Sequence, residues 1–262
     1  DIPQPDAVQF VACGTSYHAA LYGAAILREM GIPAEAYLAS EYALSPPPLS
    51  LGTLVVGITQ SGETADTLAA LRDAQSRGVT TLALTNTVNS TAARECDHAV
   101  YIRAGPEIGV AATKTFSSQL VGCNLLAEEL VEGQRDLRPL IESLRGLPDD
   151  VQSILDSSAA ETLVEEYADS DAYFFIGRGT NVAVALEGAL KCKEISYEHA
   201  EGFPAGELKH GPLALVTPDT PVFAIVTGDD ERAQKTLGNI KEVQARGAPV
   251  TAVTACAATS PG

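Results

Sequence analysis

The sequence lacks several features that mark particular classes of protein. It has no tryptophan and one methionine, and its five cysteines include no CxxC pair of the kind found in zinc and redox motifs. Its four histidines lack a metal-clamping spacing. No apolar run is long enough to span a bilayer, and the N-terminus has neither the basic start nor the apolar core of a signal peptide. We therefore expect a cytoplasmic protein with buried free thiols, no metal and no cofactor.

Positive charge is also scarce. The 262 residues carry 34 acidic and 17 basic side chains, a formal net charge of −17. This excess argues against nucleic acid and anionic membranes as partners, because both are negatively charged. Acidic, lysine-poor surfaces are typical of proteins from a salt-rich cytoplasm, although a high-GC genome would produce part of the same bias. High salt screens charge repulsion within about 3 Å at 1 M, so an anionic substrate could still approach.

What the sequence does contain is a regular alternation of apolar strands and helices. We predict strands at residues 8–12, 34–39, 54–58, 80–84, 99–102, 172–176, 221–226 and 249–253. We predict helices at residues 16–30, 64–77, 113–132, 181–199 and 231–245, an exposed helical connection up to residue 147 and a further helix after Pro148. Strands separated by such helices indicate right-handed crossovers and parallel sheets covered on both faces. The sequence thus predicts two doubly wound α/β units, at residues 1–133 and 134–262.

The two units resemble one another in sequence. Residues 10–24, FVACGTSYHAALYGA, align with residues 175–189, FIGRGTNVAVALEGA, at an offset of 165. The alignment pairs a phenylalanine, two glycines and a threonine in the same order. It predicts a duplicated fold in which an equivalent strand, turn and helix open each half.

A charged helix follows the opening strand of the second half. Glu187, Lys191 and Glu194 are spaced three and four residues apart, so they project from one face of a helix otherwise rich in alanine and leucine. The glycine-rich stretch after it presents His210. Ordinary exposed ion pairs worth about 0.2–0.5 kcal/mol are one interpretation. An acid–base site on a largely buried helix is the other.

A phosphate-sized site is predicted in the first half. The loop after the strand at 54–58 combines hydroxyls, an amide, a glycine and a helix start, a combination suited to binding one phosphate without a cation. Its polar residues are Thr59, Gln60, Ser61 and Thr64. Thr15 and Ser16, which follow the first strand, could supply a second wall at the carboxyl ends of the strands. Simple N-capping by Ser61 and Glu63 is the alternative.

Five motifs, taken in order, resemble one family closely. They are CGTSYHA (13–19), TQSGETADT (59–67), GPEIGVAATKTF (105–116), ALEGALKCKEISYEHAE (185–201) and GELKHGPLAL (206–215). Together they are similar to the isomerase half of glutamine:fructose-6-phosphate aminotransferases, which is built from two sugar isomerase (SIS) domains. The resemblance implies two flavodoxin-like or Rossmann-like SIS subdomains and an enzyme that binds fructose 6-phosphate.

The resemblance also implies a role for each motif residue. Glu194 would move a proton between C1 and C2 of the sugar, Lys191 would assist at the same carbons, and His210 would open the ring from the neighbouring subunit of a homodimer. The residues that would hold the sugar phosphate are Thr15, Ser16, Thr59, Gln60, Ser61, Thr64 and Val110.

The chain departs from the family pattern at some positions. Thr59 replaces a serine and keeps the hydroxyl, whereas Ala112 stands where the family usually has a sugar-contacting serine. We find neither the family's C-terminal tail with its Schiff-base lysine nor its glutaminase half, so we expect an isomerase module that cannot make glucosamine 6-phosphate from glutamine. A stand-alone phosphosugar isomerase or deaminase, and a non-enzymatic phosphosugar sensor, are the alternatives.

Overall fold

A computed structural model describes residue 2, residues 4–131 and residues 136–254. Within these ranges the strands are β1 (Ala7–Ala12), β2 (Ala34–Leu38), β3 (Thr53–Thr59), β4 (Thr80–Thr85), β5 (His98–Tyr101), β6 (Ala172–Gly177), β7 (His199–Pro204), β8 (Val222–Val226) and β9 (Val250–Thr254). The helices are α1 (Gly14–Glu29), α2 (Ala39–Tyr42), α3 (Ala65–Ser76), α4 (Thr91–Glu95), α5 (Lys114–Leu130), α6 (Arg138–Leu155), α7 (Ala159–Tyr167), α8 (Asn181–Ser196) and α9 (Glu231–Gln244).

The strands form two parallel sheets, one in each half. The first has the order β2-β1-β3-β4-β5 and the second the order β7-β6-β8-β9. Every strand pair is parallel, as the alternating pattern predicts. The first order is that of flavodoxin-like folds, and the second sheet repeats its first four strands. The predicted fold class of two doubly wound α/β units is confirmed.

The repeat at an offset of 165 residues is visible in the packing. In each half a glycine of the opening helix lies directly over a phenylalanine of the opening strand. A Cβ added at Gly23 would lie 3.0 Å from the ring of Phe10, and one added at Gly188 would lie 2.9 Å from the ring of Phe175. The two halves thus share one packing arrangement, in which a side chain in place of either glycine would push the helix away from the sheet.

The first half encloses the larger core. Phe10, Leu54, Ile58 and Leu84 are fully buried beneath α1 and α5, and a second buried cluster lies under α3. In the second half, a smaller core around Phe174 and Ile176 packs under α9 and the turns that follow β7. Helices α1 and α8 pack against each other across the two halves. The charged face of α8 therefore lies against the first half.

Three predictions about the second half were wrong. The charged helix ends at Ser196 and not at residue 199, because Tyr197 adopts a left-handed conformation with φ 64°. The residues after it form β7, an edge strand of the second sheet. Pro148 lies inside α6 and does not end a helix. Helix α6, which is described in full, has no buried residue, so water can bond the carbonyl that the proline leaves free.

The cysteine prediction is right for one residue of the four described. Cys123 is buried, and burial raises the pKa of its thiol to about 12. Cys13, Cys96 and Cys192 are free but partly exposed. Cys256 and the predicted domain boundary at residues 133 and 134 lie outside the described residues, and the boundary stays a prediction. In the described ranges, no helix is long and apolar enough to cross a membrane.

Candidate active site

The hydroxyl-rich residues of the first half lie at the topological switch point of its sheet. β1 and β3 are neighbours, and their connections leave in opposite directions because β2 lies on one side and β4 on the other. The turn into α1, which carries Thr15 and Ser16, and the loop after β3 therefore open at the same edge. Ligands of open α/β sheets bind in the crevice at this position.

The loop after β3 is held in shape by its own threonines. Thr59 Oγ1 lies 3.1 Å from Thr64 Oγ1 and accepts a hydrogen bond from the Gly62 N–H at 3.2 Å. Ser61 Oγ accepts from the Glu63 N–H at 3.1 Å. The structure thus brings three of the predicted phosphate ligands together at the start of α3. Thr64 is the N-cap residue, and no side chain caps that helix within the described residues.

The acidic residue of this loop is turned away from it. Glu63 Oε1 accepts a hydrogen bond of 2.8 Å from the Thr91 N–H at the start of α4. Hydrogen bonds from Thr91 lower the pKa of the Glu63 carboxyl, which keeps it ionised at α4. The sequence offered N-capping of α3 by Ser61 and Glu63 as the alternative to phosphate binding. The structure does not show it, because neither side chain accepts a hydrogen bond from an N–H group of α3. The helix N–H groups stay available to an anion.

Ser16 is supported by a residue that the sequence analysis missed. Ser16 is buried, and its Oγ accepts a hydrogen bond of 2.9 Å from Nε2 of Gln119 on α5. Because this bond uses one lone pair of the serine oxygen, the serine proton remains free to be donated elsewhere. Nothing in the local sequence marks Gln119, since the contact spans 103 residues.

The charged residues of α8 form one cluster with the first half. Lys191 Nζ donates to Thr15 Oγ1 at 3.1 Å, lies 3.5 Å from Glu187 Oε1 and also bonds Glu194. Thr15 in turn donates to Glu187 Oε1 at 3.0 Å. Glu187 is only 4% exposed, so its contacts are not ordinary surface ion pairs, whereas Glu194 at the end of the same face is exposed.

A second missed residue completes the cluster. His18 of α1 lies with Nδ1 2.7 Å from Glu187 Oε2. Because an ionised carboxylate can only accept, the His18 Nδ1–H is the donor. His18 belongs to the CGTSYHA motif, yet no spacing in that motif indicates a contact with a helix 169 residues away.

The loop before α5 is anchored by Glu107. Its Oε1 accepts from the Thr113 N–H at 2.8 Å, the Thr115 N–H at 3.1 Å and the Thr115 hydroxyl at 2.8 Å. Lys114 Nζ lies 3.2 Å from its other oxygen. Burial raises the pKa of Glu107, but these hydrogen bonds outweigh it and lower the pKa to about 2. The carboxylate therefore serves as the anchor of the loop.

This anchored loop carries Val110 to the charged helix. Residues 107–111 line a cavity of about 450 Å³ together with Glu194 and Ile195 of α8. Val110 is fully exposed to this space. A larger cavity of about 650 Å³ lies at the amino ends of the second sheet, but Glu166, Asp169 and Asp219 line it. Four carboxylates and no cationic side chain line the larger cavity, whereas Lys114 lines the smaller one beside Glu107 and Glu194, so the smaller cavity is the better candidate for a sugar phosphate.

His210 is not part of the cluster. It ends a short 3-10 turn, Leu208–His210, and is exposed. Among the described hydrogen bonds and ion pairs, none joins its ring to α8. Of the predicted site residues, the structure thus brings Thr15, Lys191 and Glu194 into contact and leaves His210 apart.

The chain matches a known domain family along most of its length. A model of the SIS domain matches residues 2–129 and 166–261. The glutamine–fructose-6-phosphate aminotransferase [isomerizing] of Halobacterium salinarum is 53% identical over 260 residues, which cover 97% of this chain and 43% of that protein. The enzyme of the same name from Methanosarcina acetivorans is 51% identical over 94% of this chain and 41% of its own length. The chain spans about two fifths of these curated relatives.

Solved structures show the same similarity. The C-terminal domain of glucosamine-fructose-6-phosphate aminotransferase from Francisella tularensis matches with a TM-score of 0.90 and 39% identity, over 96% of this chain and 72% of that one. A glucosamine-6-phosphate deaminase from Thermotoga maritima matches with a TM-score of 0.79 and 29% identity, over 95% of this chain and 76% of that one. The chain therefore belongs to the SIS domain family, in the group formed by the isomerase domains of glutamine–fructose-6-phosphate aminotransferases.

Proposed function

We propose that this chain binds fructose 6-phosphate and catalyses the ketose-to-aldose isomerisation in glucosamine 6-phosphate synthesis. The observation that carries the proposal is that a loop suited to phosphate and a cluster of charged side chains lie on facing elements of the two halves. A cation-free hydroxyl loop suited to phosphate lies in the first half, and a cluster on α8, formed by the buried Glu187, the partly buried Lys191 and the exposed Glu194, faces that half. The relatives named above are aminotransferases described as isomerizing, which is the activity this arrangement suits.

The first half holds the phosphate in this proposal. The hydroxyls of Ser16, Thr59, Ser61 and Thr64, the Gln60 side chain and the N–H groups at the start of α3 donate to its oxygens. The α3 dipole adds a favourable field for a dianion at its N-terminus. Thr15 and Val110 lie beside the sugar, with the Thr15 oxygen also accepting from Lys191.

The second half carries out the proton transfer. The Glu194 carboxylate takes a proton from C1 of the open-chain ketose and returns it to C2 of the enediol that forms, while the proton of the O1 hydroxyl passes to O2, which gives the aldose. The Lys191 ammonium stabilises the negative charge that develops on the sugar oxygens. We further propose that each chain consists of two subdomains, residues 1–133 and 134–262. We also propose that two chains form a homodimer, in which His210 of the neighbouring subunit opens the sugar ring.

A calorimetric titration in high potassium chloride tests the binding proposal. Fructose 6-phosphate and glucose 6-phosphate should bind, and unphosphorylated fructose should not. Ser61→Ala should weaken binding of both phosphates by about tenfold or more, because it removes one hydrogen bond to a charged group. Asp229→Asn, in the corresponding loop of the second half, is the control and should change nothing. Binding of fructose as tight as that of its phosphate would contradict the proposal.

The similarity to a deaminase supports a second candidate, the release of ammonia from glucosamine 6-phosphate. Both reactions interconvert a ketose and an aldose skeleton, so the same α8 cluster would serve either. Incubation of the chain with glucosamine 6-phosphate, followed by an ammonia assay, separates them. The higher identity to aminotransferases, 53% against 29%, favours the first candidate.

A further inference from the structure

His18 makes a contact that the proposed reaction does not use. It lies on α1 in the first half, yet its ring nitrogen bonds a carboxylate of α8 in the second half at 2.7 Å. The imidazole side chain is 15% exposed and that of Glu187 is 5% exposed. A buried hydrogen bond to a charged group is one of the stronger hydrogen bonds in a protein.

The contact leaves Glu187 without rotational freedom. One carboxylate oxygen receives the His18 N–H, and the other receives the Thr15 hydroxyl and lies 3.5 Å from Lys191. Both oxygens are therefore fixed by groups of the first half. Lys191 is held in turn between Glu187, Thr15 and Glu194.

We propose that His18 is a positioning residue, which fixes the Glu187 carboxylate and through it the direction of the Lys191 ammonium group. The inference rests on the function proposed above, in which Lys191 acts on the sugar. Without the His18 N–H, Glu187 Oε2 has no donor and the carboxylate turns. Lys191 then loses Glu187 as one of its three partners, and its ammonium group is no longer held in a fixed direction.

The first test measures Lys191 itself and needs no substrate. The chain is labelled with trace acetic anhydride, and the acetylation rate of each lysine is followed by peptide mass spectrometry. In His18→Leu, Lys191 should be labelled about fivefold faster, the ratio expected for the loss of one net hydrogen bond. In His18→Asn the rate should stay near that of the wild type, because the amide nitrogen stands where Nδ1 did. Lys241 on α9 serves as the internal control.

Two outcomes would overturn the proposal. An unchanged Lys191 rate in a folded His18→Leu protein would mean that His18 does not control the ammonium group. Equal acceleration at Lys191 and Lys241 would mean that the substitution loosens the whole fold. If His18→Leu does not fold, His18→Gln takes its place, since it keeps the donor but moves it away from Glu187, and the same two outcomes apply.

The second test separates positioning from binding. With fructose 6-phosphate, His18→Leu should lower kcat of isomerisation about 10- to 100-fold and leave the dissociation constant within about threefold. His18→Asn should restore most of kcat. Weaker substrate binding with unchanged kcat would overturn the positioning role. If fructose 6-phosphate does not bind the wild type, the function proposed above fails, and the labelling result still decides whether His18 positions Lys191.

Discussion

The two halves of the chain share one fold but fill the same crevice in different ways. In the first half, the turn after β1 and the loop after β3 present hydroxyls and helix N–H groups. In the second half, side chains that bond one another occupy the equivalent crevice, between the turn after β6 and the loop after β8. Arg178 donates to Asn239 at 2.9 and 3.1 Å, Asn181 bonds Thr227 at 2.8 Å, and the loop after β8 carries Asp229 and Asp230.

In the function proposed above, this difference separates binding from chemistry. Acidic residues and mutually bonded side chains make the second crevice unsuitable for an anion. The charged groups of the second half lie instead along α8, which faces the first half. The fold determines where a ligand can bind, whereas the side chains decide which of two equivalent places is used.

The largest expected effect tests whether the chemistry belongs to the second half alone. Glu194→Gln should slow the exchange of the C1 hydrogen of fructose 6-phosphate with deuterated water by about 10²–10⁴-fold, because it removes the proposed base. NMR of the sugar follows the exchange, and calorimetry should show binding within about threefold of wild type. The control is Glu29→Gln, which alters the residue at the same place in α1. A comparable loss in the control would contradict the division between the halves.

Matched glycines test how far the two crevice loops differ in packing. A Cβ at Gly62, where φ is 71°, would lie 2.0 Å from Ser90 Oγ, and Ser90 caps α4. A Cβ at Gly228, where φ is 73°, would meet nothing within 4 Å. Gly62→Ala should lower the free energy of unfolding by about 2–4 kcal/mol and Gly228→Ala by about 1 kcal/mol. Urea unfolding measures both, and equal losses would refute the comparison.

The anchor of the Val110 loop provides a pH test confined to the first half. The pKa of Glu107 is about 2 in the folded chain, against an ordinary value of 4.5. A depressed folded pKa stabilises the protein above the ordinary value, and this contribution is lost as the pH falls towards 2. Glu107→Gln should therefore lower the free energy of unfolding by about 1–3 kcal/mol near pH 6.

The same variant has a defined pH signature. The difference in unfolding free energy between wild type and Glu107→Gln should shrink as the pH falls from about 5 towards 2. Urea unfolding at a series of pH values measures it. A difference that stays constant over this range would show that the Glu107 charge is not the source of the stability.

The smallest expected effect concerns the exposed ion pair between the halves. Arg232 on α9 pairs with Glu29 on α1, and both side chains are about half exposed. A double-mutant cycle with Arg232→Gln and Glu29→Gln should give a coupling energy of about 0.5 kcal/mol or less, which 1 M potassium chloride should abolish. A salt-resistant coupling above about 1.5 kcal/mol would mean that this pair, and not the buried Glu187 cluster alone, joins the halves.

Much of the fold could be predicted because it depends on local patterns. Alternating apolar strands and helices gave the parallel sheets, and turn glycines ended the helices. The edge strand β7 was missed because HAEGFP contains a histidine, a glutamate and a proline in place of an apolar run. The repeat already contained the information, since β2 begins at residue 34 and an offset of 165 leads to residue 199, where β7 begins.

The site was only partly predictable because its contacts are distant in sequence. Helical spacing placed Glu187, Lys191 and Glu194 on one face, and the motif residues marked Thr15. Helical spacing could not indicate that this face of α8 packs against α1, so the contact of His18 with Glu187 was not predicted. Gln119 was missed for the same reason, because its contact with Ser16 spans 103 residues. Glu107 was missed although its partners lie only six and eight residues away, because an irregular loop has no spacing that shows which N–H groups a side chain will reach.

The packing of α1 against α8 has a consequence for how such a site can arise. Two separate copies of one half, joined through the same helix, would form a symmetrical pair in which every substitution appears twice. Each copy would then carry both the histidine and the glutamate, and the contact between them would form twice. Within one polypeptide the two helices can change independently, so His18 has Ala183 as its counterpart and Lys191 has Ile26. Joining the copies end to end is what allows an asymmetric centre to form on an almost symmetrical scaffold.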